Sequence, residues 1–285
     1  MKCYTRHTLA LLYPLFLLSF LPSSGAFAAT NQHADHSQTP HWGYSGSSGP
    51  GEWGKMSEAY ALCGSGKRQS PVNIFNEVSA DLYALRFQYH PIPLSVVNNG
   101  HTLQANYYSA SQGNNVTIGG KSYPVQTKPV YESRLMIGDV PYQLLQFHFH
   151  TPSEHTHQGK RYPMEVHLVH KSADGNLAVV GILLKRGNAN PALQKVLDNA
   201  TSDINTVTTV HKLSLNATDL LPADKQLFHY SGSLTTPPCS ENVNWFVMKT
   251  PMEVSGGQIE LFKKMIGENA RPLQPMHWRS MFVSE

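Results

Sequence analysis

Residues 146–155 read QFHFHTPSEH, two histidines alternating with two phenylalanines and a third histidine close behind. Along a β-strand successive side chains point to opposite faces. Gln146, His148 and His150 then share one face, and Phe147 and Phe149 share the other. The rings can bury in a core. The two imidazoles stand about 7 Å apart along the strand, close enough to converge on one zinc ion at ~2.0–2.1 Å from nitrogen. Taken alone, a His-x-His pair is equally a solvated strand face. A second candidate strand, Met164–Lys171, presents Glu165, His167 and Val169 on one face and His170 on the other. His167 would supply a third ligand and leave the fourth tetrahedral position open to water. Three neutral imidazoles keep the full charge of the ion, which lowers the pKa of a bound water to ~7, whereas thiolates would neutralise it. Gln146 and Glu165 are placed to orient ligand imidazoles.

The elements that must position these residues are mostly strands. Leu82–Tyr89, Leu94–Asn98, Thr102–Asn106, Val116–Ile118, Glu132–Ile137, Tyr142–His150, Met164–Lys171, Ala178–Lys185, Gln226–Ser231 and Asn244–Met248 are short, rich in β-branched or aromatic residues, and bounded by Gly, Pro or Asn. Turn signals such as Asn98-Asn99-Gly100 and Ala173-Asp174-Gly175 separate several of them. Two stretches read as helices: Asn190–Asn199, with Pro191 in its first turn, and Gly256–Ile266, with Ile259, Phe262 and Ile266 on one stripe. The pattern predicts a mainly β, largely antiparallel single domain with small peripheral helices.

Composition narrows the class. The chain has 285 residues, 40% hydrophobic and 14% charged, enough to bury a sizeable core. Residues 1–28 have the form of a signal peptide, with Lys2 and Arg6 at the positive end, an apolar run from Leu9 to Leu21 and the small-x-small triplet Ala26-Phe27-Ala28. The run is too short, and too interrupted by Pro14 and Pro22, for a membrane anchor. Export to the periplasm and a mature chain free of the membrane are expected. The net charge of +3, less those two cations, leaves about +1, with no basic stripe to suggest nucleic-acid binding. Cys63 and Cys239 remain as a single pair in an oxidising compartment, where a disulfide is the default and two free thiols the alternative. Residues 29–40 read as a flexible leader and 41–285 as the catalytic domain. His33, His36, His41 and His90 fall in the leader or in loops, outside the chemical pattern.

Several stretches together resemble the α-class carbonic anhydrases over nearly the whole mature chain. They are Ser70–Ile74, Asn98–His101, Gln146–His150, Ser153–Thr156, Glu165–His170, Gly232–Pro238 and Asn269–Pro272. The resemblance implies a large twisted, mostly antiparallel sheet of about ten strands around a zinc site in a cone-shaped cleft. It implies reversible hydration of CO₂ to bicarbonate and a proton by a zinc-bound hydroxide, and inhibition by anions and sulfonamides. His148, His150 and His167 match the metal ligands, the first two through Nε2 and the third through Nδ1. Gln146, Glu165 and the backbone carbonyl of Asn269 match the groups that hold them. Thr235 matches a residue that donates to a buried glutamate, here Glu154, while accepting from the hydroxide; an ionised carboxylate can only accept, so that proton direction is forced. Without the resemblance Thr235 reads as an ordinary turn threonine. Val169, Val179, Leu234, Val243 and Trp245 match the apolar CO₂ pocket, and Thr236 the mouth of the site. His101 matches the proton shuttle, at a rim with room to swing, and Tyr44, Asn99 and Gln104 match polar residues of the water path. Thr151-Pro152 is a shorter connection than animal members carry and resembles the bacterial branch, whose disulfide positions Cys63 and Cys239 also match.

Two other functions remain consistent with parts of the sequence. A non-catalytic zinc-binding or interaction domain could keep the fold, although such members usually lose a ligand histidine. A zinc-buffering protein is suggested by His33, His36 and His41.

Overall fold

A computed structural model describes residues 40–107, 116–118, 121–123 and 132–285. The signal segment 1–28 and all of the leader but Pro40 lie outside the described residues. In chain order the strands are β1 (Asn73–Ile74), β2 (Val78–Ala80), β3 (Leu85–Gln88), β4 (Ile92–Asn98), β5 (Leu103–Asn106), β6 (Val116–Ile118), β7 (Lys121–Tyr123), β8 (Arg134–Ile137), β9 (Val140–His150) and β10 (Thr156–His157). They continue as β11 (Lys160–Arg161), β12 (Met164–Ser172), β13 (Leu177–Arg186), β14 (Val207–Leu215), β15 (Leu227–Ser233), β16 (Glu241–Val254) and β17 (Phe282–Ser284). The helices are α1 (Trp53–Met56), α2 (Leu62–Ser65), α3 (Pro191–Asn199) and α4 (Gly256–Ile266).

Among the described residues, one sheet of twelve strands dominates. Ten run side by side in the order β14-β4-β5-β9-β12-β13-β16-β15-β17-β2, and β3 and β8 attach through β9. Pairing in this sheet is antiparallel except for β13 with β16 and β17 with β2. The expected large, mostly antiparallel sheet with small helices is therefore present.

Each central strand packs on both faces, because alternate side chains serve different cores. One face carries Phe147, Phe149, Val166, Leu168, Val180, Ile182 and Met248 and is covered by Leu193 and Val196 of α3 and Ile259 and Phe262 of α4. Phe147 and Phe149 are fully buried, and burial of each contributes on the order of 1.5–3 kcal/mol. The opposite face carries the histidines and a second cluster around Trp245, Val179, Val243 and Tyr230. Both covering helices start at defined caps. The Asn190 side chain accepts from the Leu193 N–H, and Ser255 with Gln258 forms a capping box. Gln258 also ties the helices together, accepting from the Asn190 N–H at 2.9 Å and donating to its carbonyl at 2.8 Å. A disulfide joins Cys63 to Cys239.

Some elements differ from the sequence reading. Strand β14 is absent from it: β14 pairs with β4 alone, and a register shift between Val210 and Ser214 breaks the alternation of its apolar residues. Strand β16 runs well past Asn244–Met248 at both ends, continuing through Pro251. Helices α1 and α2 are four residues each, too short to show a period.

Candidate metal centre

The sheet register assembles the three histidines. His148 on β9 stands opposite His167 on β12, and His150 stands opposite Glu165. Ring centroids lie 5.0 Å apart for His148 and His150, 5.4 Å for His148 and His167, and 4.5 Å for His150 and His167. Their ligand-capable nitrogens fall within 4.8 Å of one another.

Each ring is pinned at its far nitrogen by an acceptor. His148 donates from Nδ1 to Gln146 Oε1 at 2.8 Å, and His150 from Nδ1 to the Asn269 carbonyl at 2.7 Å. His167 donates from Nε2 to Glu165 Oε1 at 2.8 Å. These acceptors fix the tautomers. Nε2 of His148, Nε2 of His150 and Nδ1 of His167 are left as lone pairs that face one another. Burial, with the neighbouring imidazoles, holds His148 well below the usual histidine range. Burial lowers His150 as well, against the pull of Glu154. Neutral imidazoles are the form that binds a metal.

The atoms facing this space have the character of a cation site. His150 Nε2 is buried without a hydrogen-bond partner, and so is Glu154 Oε2. Glu154 Oε2 lies 3.6 Å from His150 Nε2 and 3.8 Å from His167 Nδ1. Three convergent imidazole nitrogens with a carboxylate behind them match the donor set of catalytic zinc. Glycine at 181 leaves room for the Glu165 carboxylate that holds His167: a Cβ there would stand 3.1 Å from Glu165 Oε1.

Glu154 is set by the Arg271 backbone N–H, which donates to Oε1 at 2.8 Å. The expected donation from Thr235 to Glu154 is not among the hydrogen bonds of the structure, since Oε2 has no partner and faces the imidazoles. Thr235 itself is buried, as is Ser233. The Thr236 carbonyl accepts from the Cys239 N–H, closing the loop onto the disulfide.

The five apolar residues expected to line a pocket do gather. Val179, Val243 and Trp245 are buried in one cluster, with Val169 and Leu234 packed against it. The register explains this, for Val169 pairs with Val179 and Val179 with Trp245, one row along from His167. The Trp245 indole donates to the Ser233 carbonyl at 2.9 Å and so fixes the loop that carries Thr235.

The polar residues on the other side are arranged less uniformly. Gln104 pairs in register with His148 and donates to Asn106 Oδ1 at 2.6 Å. Tyr44 is held well above its ordinary range by burial and by Glu154. The Asn99 side-chain oxygen accepts from the backbone N–H groups of His101 and Thr102, so it shapes the turn first. His101, expected at a rim with room to swing, is partly exposed and stacked in this structure. Its ring lies flat on Trp42, with centroids 3.7 Å apart and planes 6° apart. Burial, with the His41 charge, lowers it to about 4.

The structure adds residues to which the sequence pattern assigned no role. His155 donates from Nδ1 to Glu165 Oε1 at 2.7 Å, and its backbone N–H donates to Oε2 at 2.8 Å. Its Nε2 meets the Tyr230 hydroxyl at 2.6 Å, and that hydroxyl meets Ser70 Oγ at 2.8 Å. Burial pushes the Glu165 carboxyl up, but the charges and hydrogen bonds of His155 and His167 outweigh it and hold it well below the usual range. Arg271, almost fully buried, donates to Gln69 Oε1 and to the carbonyls of Ser70 and Cys63. A histidine directly after Glu154 and an arginine two past Asn269 carry no periodic signal, so sequence spacing alone does not point to them.

A family model described as eukaryotic-type carbonic anhydrase matches residues 48–285. A carbonic anhydrase of Nostoc sp. is 39% identical over 272 residues, covering 93% of this chain and 94% of that one. One of Neisseria gonorrhoeae is 38% identical over 251 residues, covering 86% and 89%. Among solved structures, a hyperthermostable carbonic anhydrase from an active hydrothermal vent chimney matches with a TM-score of 0.75 at 40% identity, over 86% of this chain and 100% of that one. The α-carbonic anhydrase of Thermovibrio ammonificans, solved with the inhibitor sulfanilamide, matches with a TM-score of 0.73 at 40% identity, over 85% and 98%. With this fold and these relatives, the chain belongs to the α-class carbonic anhydrase family, the carbonate dehydratases that hydrate carbon dioxide.

Proposed function

We propose that the chain binds one zinc ion through His148 Nε2, His150 Nε2 and His167 Nδ1 and hydrates CO₂ reversibly at that site. The observation that supports this most directly is the convergence of three far-side-pinned imidazoles on a buried space bounded by the partnerless Glu154 Oε2. Zinc held there would supply a water activated near neutral pH.

The chain's own groups do the rest. Gln146, the Asn269 carbonyl and Glu165 keep the three ligand nitrogens aimed. Glu154, acceptor-only and buried, would receive the Thr235 hydroxyl proton once Thr235 turns towards Oε2. Thr235 would then offer its lone pair to the reacting water and hold that water's orientation. Val169, Val179, Leu234, Val243 and Trp245 give a nonpolar substrate a dry contact surface beside the ligands, with Thr236 at its mouth. Tyr44, Asn99 and Gln104 line the polar side, and His101 would carry the proton outward. The Thermovibrio relative was solved with a sulfonamide, and the same inhibitor class is assigned to this site. Residues 1–28 serve as the signal peptide, the periplasm is the compartment, and the Cys63–Cys239 disulfide suits it.

Stopped-flow CO₂ hydration on protein lacking residues 1–28, with zinc content measured in parallel, tests the reading. The expected result is one zinc per chain and hydration abolished in His167→Ala. Zinc-loaded protein with no hydration above buffer would overturn it in favour of a non-catalytic domain.

A further inference from the structure

His101 is only partly exposed and stacks on Trp42, while the neighbouring His41 is exposed. The His41 and His101 rings are stacked with centroids 5.6 Å apart and planes 29° apart. Both partners arrive on the same short segment, since Trp42 follows His41 directly. The segment is anchored: Trp42 packs edge-on against the buried Trp53 at 5.2 Å, and the Trp53 indole donates to the Gly43 carbonyl at 2.9 Å. From below, the Asn269 side chain donates to the His101 carbonyl at 3.0 Å, and Asn99 holds the His101 N–H. The backbone next to His41 and the backbone of His101 are therefore both anchored, and the His41 ring stacks on His101 from that anchored segment.

We infer that His41 is a second proton carrier, taking the proton from His101 and handing it to solvent. The inference rests on the proposed CO₂ hydration. The step is a plain proton transfer. Protonated His101 gives its proton, through a bridging water, to a ring nitrogen of neutral His41; His101 returns to neutral and His41 becomes the cation. His41 then passes the proton to water or buffer base and is neutral again. A half-buried imidazole stacked on an indole presents little of its ring to buffer molecules, whereas an exposed one exchanges freely. Titratable groups on the adjoining segments are Tyr44 and His41 on the N-terminal side, Asp203 in the loop against Gly100, and Glu268 beside Asn269. Of these it is the His41 charge that acts on His101. While His41 carries a proton it disfavours a second one on His101, so each proton must leave His41 for solvent before the next is passed outward.

Two measurements on the full mature chain decide the matter. The first is stopped-flow hydration of His41→Gln at low buffer. The expected result is a several-fold fall in kcat with kcat/KM unchanged, and recovery of kcat on adding imidazole. An unchanged kcat at low buffer would overturn the relay, as would an equal fall in kcat/KM, which marks a structural effect. An inactive parent would instead overturn the hydration reading itself. The second needs no turnover: NMR titration of the histidine ring protons in the parent and in His41→Gln. The His101 midpoint should move upward when its neighbour loses its charge; a midpoint that stays in place refutes the pairing.

Discussion

His150 Nε2 lies 3.6 Å from Glu154 Oε2, and neither atom has a hydrogen-bond partner. With His150 Nδ1 donating to the Asn269 carbonyl, Nε2 presents a lone pair, so two acceptors face each other in the interior. Such a pair is costly without a cation between or beside it. Metal removal should therefore destabilise the fold as well as the reaction. Free zinc at 1,000 times its Kd would add ~4 kcal/mol, or roughly 8–16 °C for a chain of this size. Chelation with dipicolinate, followed by thermal unfolding, should lower Tm by about that amount and zinc should restore it. Identical melting curves with and without chelator would refute a structural contribution from the ion.

Glu165 holds two histidines at once, His167 at 2.8 Å and His155 at 2.7 Å through the same oxygen. Glu165→Gln keeps the shape but removes the charge and puts an amide where the imidazole N–H must donate. Zinc affinity should fall by about 10–100-fold, read by competition against a chromogenic chelator. An affinity equal to the parent's would show that the charge of Glu165 is immaterial to the ligand.

The disulfide links residues 176 apart in sequence and sits at the end of the loop carrying Thr235 and Thr236. A crosslink this long restricts the unfolded chain by on the order of 5 kcal/mol in the chain-entropy model, and removal typically costs ~2–5 kcal/mol. The Cys63→Ser, Cys239→Ser double variant should lose stability in that range by denaturant unfolding. A loss below about 1 kcal/mol would mean that Arg271 and Gln69, which bond the carbonyls of Cys63 and Cys239, hold the loop without it.

His170 is buried on the side of β12 away from the metal ligands, meeting the Tyr89 hydroxyl at 2.7 Å. Burial lowers it to about 3. Its folded pKa is below the unfolded value near 6.5, so the unfolded chain binds the extra proton and stability falls as pH drops from ~6.5 towards 3. Between pH 7 and 5 this group should remove about 2 kcal/mol. In His170→Gln the fall should be smaller by that amount, measured by urea unfolding at both pH values. Parallel pH dependences in parent and variant would exclude His170 as the source.

Gly232 stands where three side chains meet. A Cβ there would come within 2.2 Å of Ser70 Oγ, 2.7 Å of Trp245 Cδ1 and 2.8 Å of Tyr230 Cε2. Gly232→Ala should cost about 1–3 kcal/mol by overpacking and disturb the Trp245 indole that donates to the Ser233 carbonyl. A variant as stable as the parent, with unchanged tryptophan fluorescence, would show that this junction can yield.

Much of the centre was legible in one dimension because the period of a strand is two. That period put His148 and His150 on one face and Phe147 and Phe149 on the other, and it put Glu165 beside His167. The family resemblance then named Asn269, Glu154 and five apolar residues, and those five meet in one cluster. Strand register across chain separations of tens of residues lies beyond any local pattern, since it depends on which strands pair. Only the tertiary structure set His148 against His167, and laid His41 and Trp42 beside His101, some sixty residues away in sequence. Only it joined Glu165, His155, Tyr230 and Ser70 into one buried chain of hydrogen bonds. Their side chains carry no periodic signature, because a buried polar group is placed by the partner it must satisfy, and that partner is known only once the chain has folded.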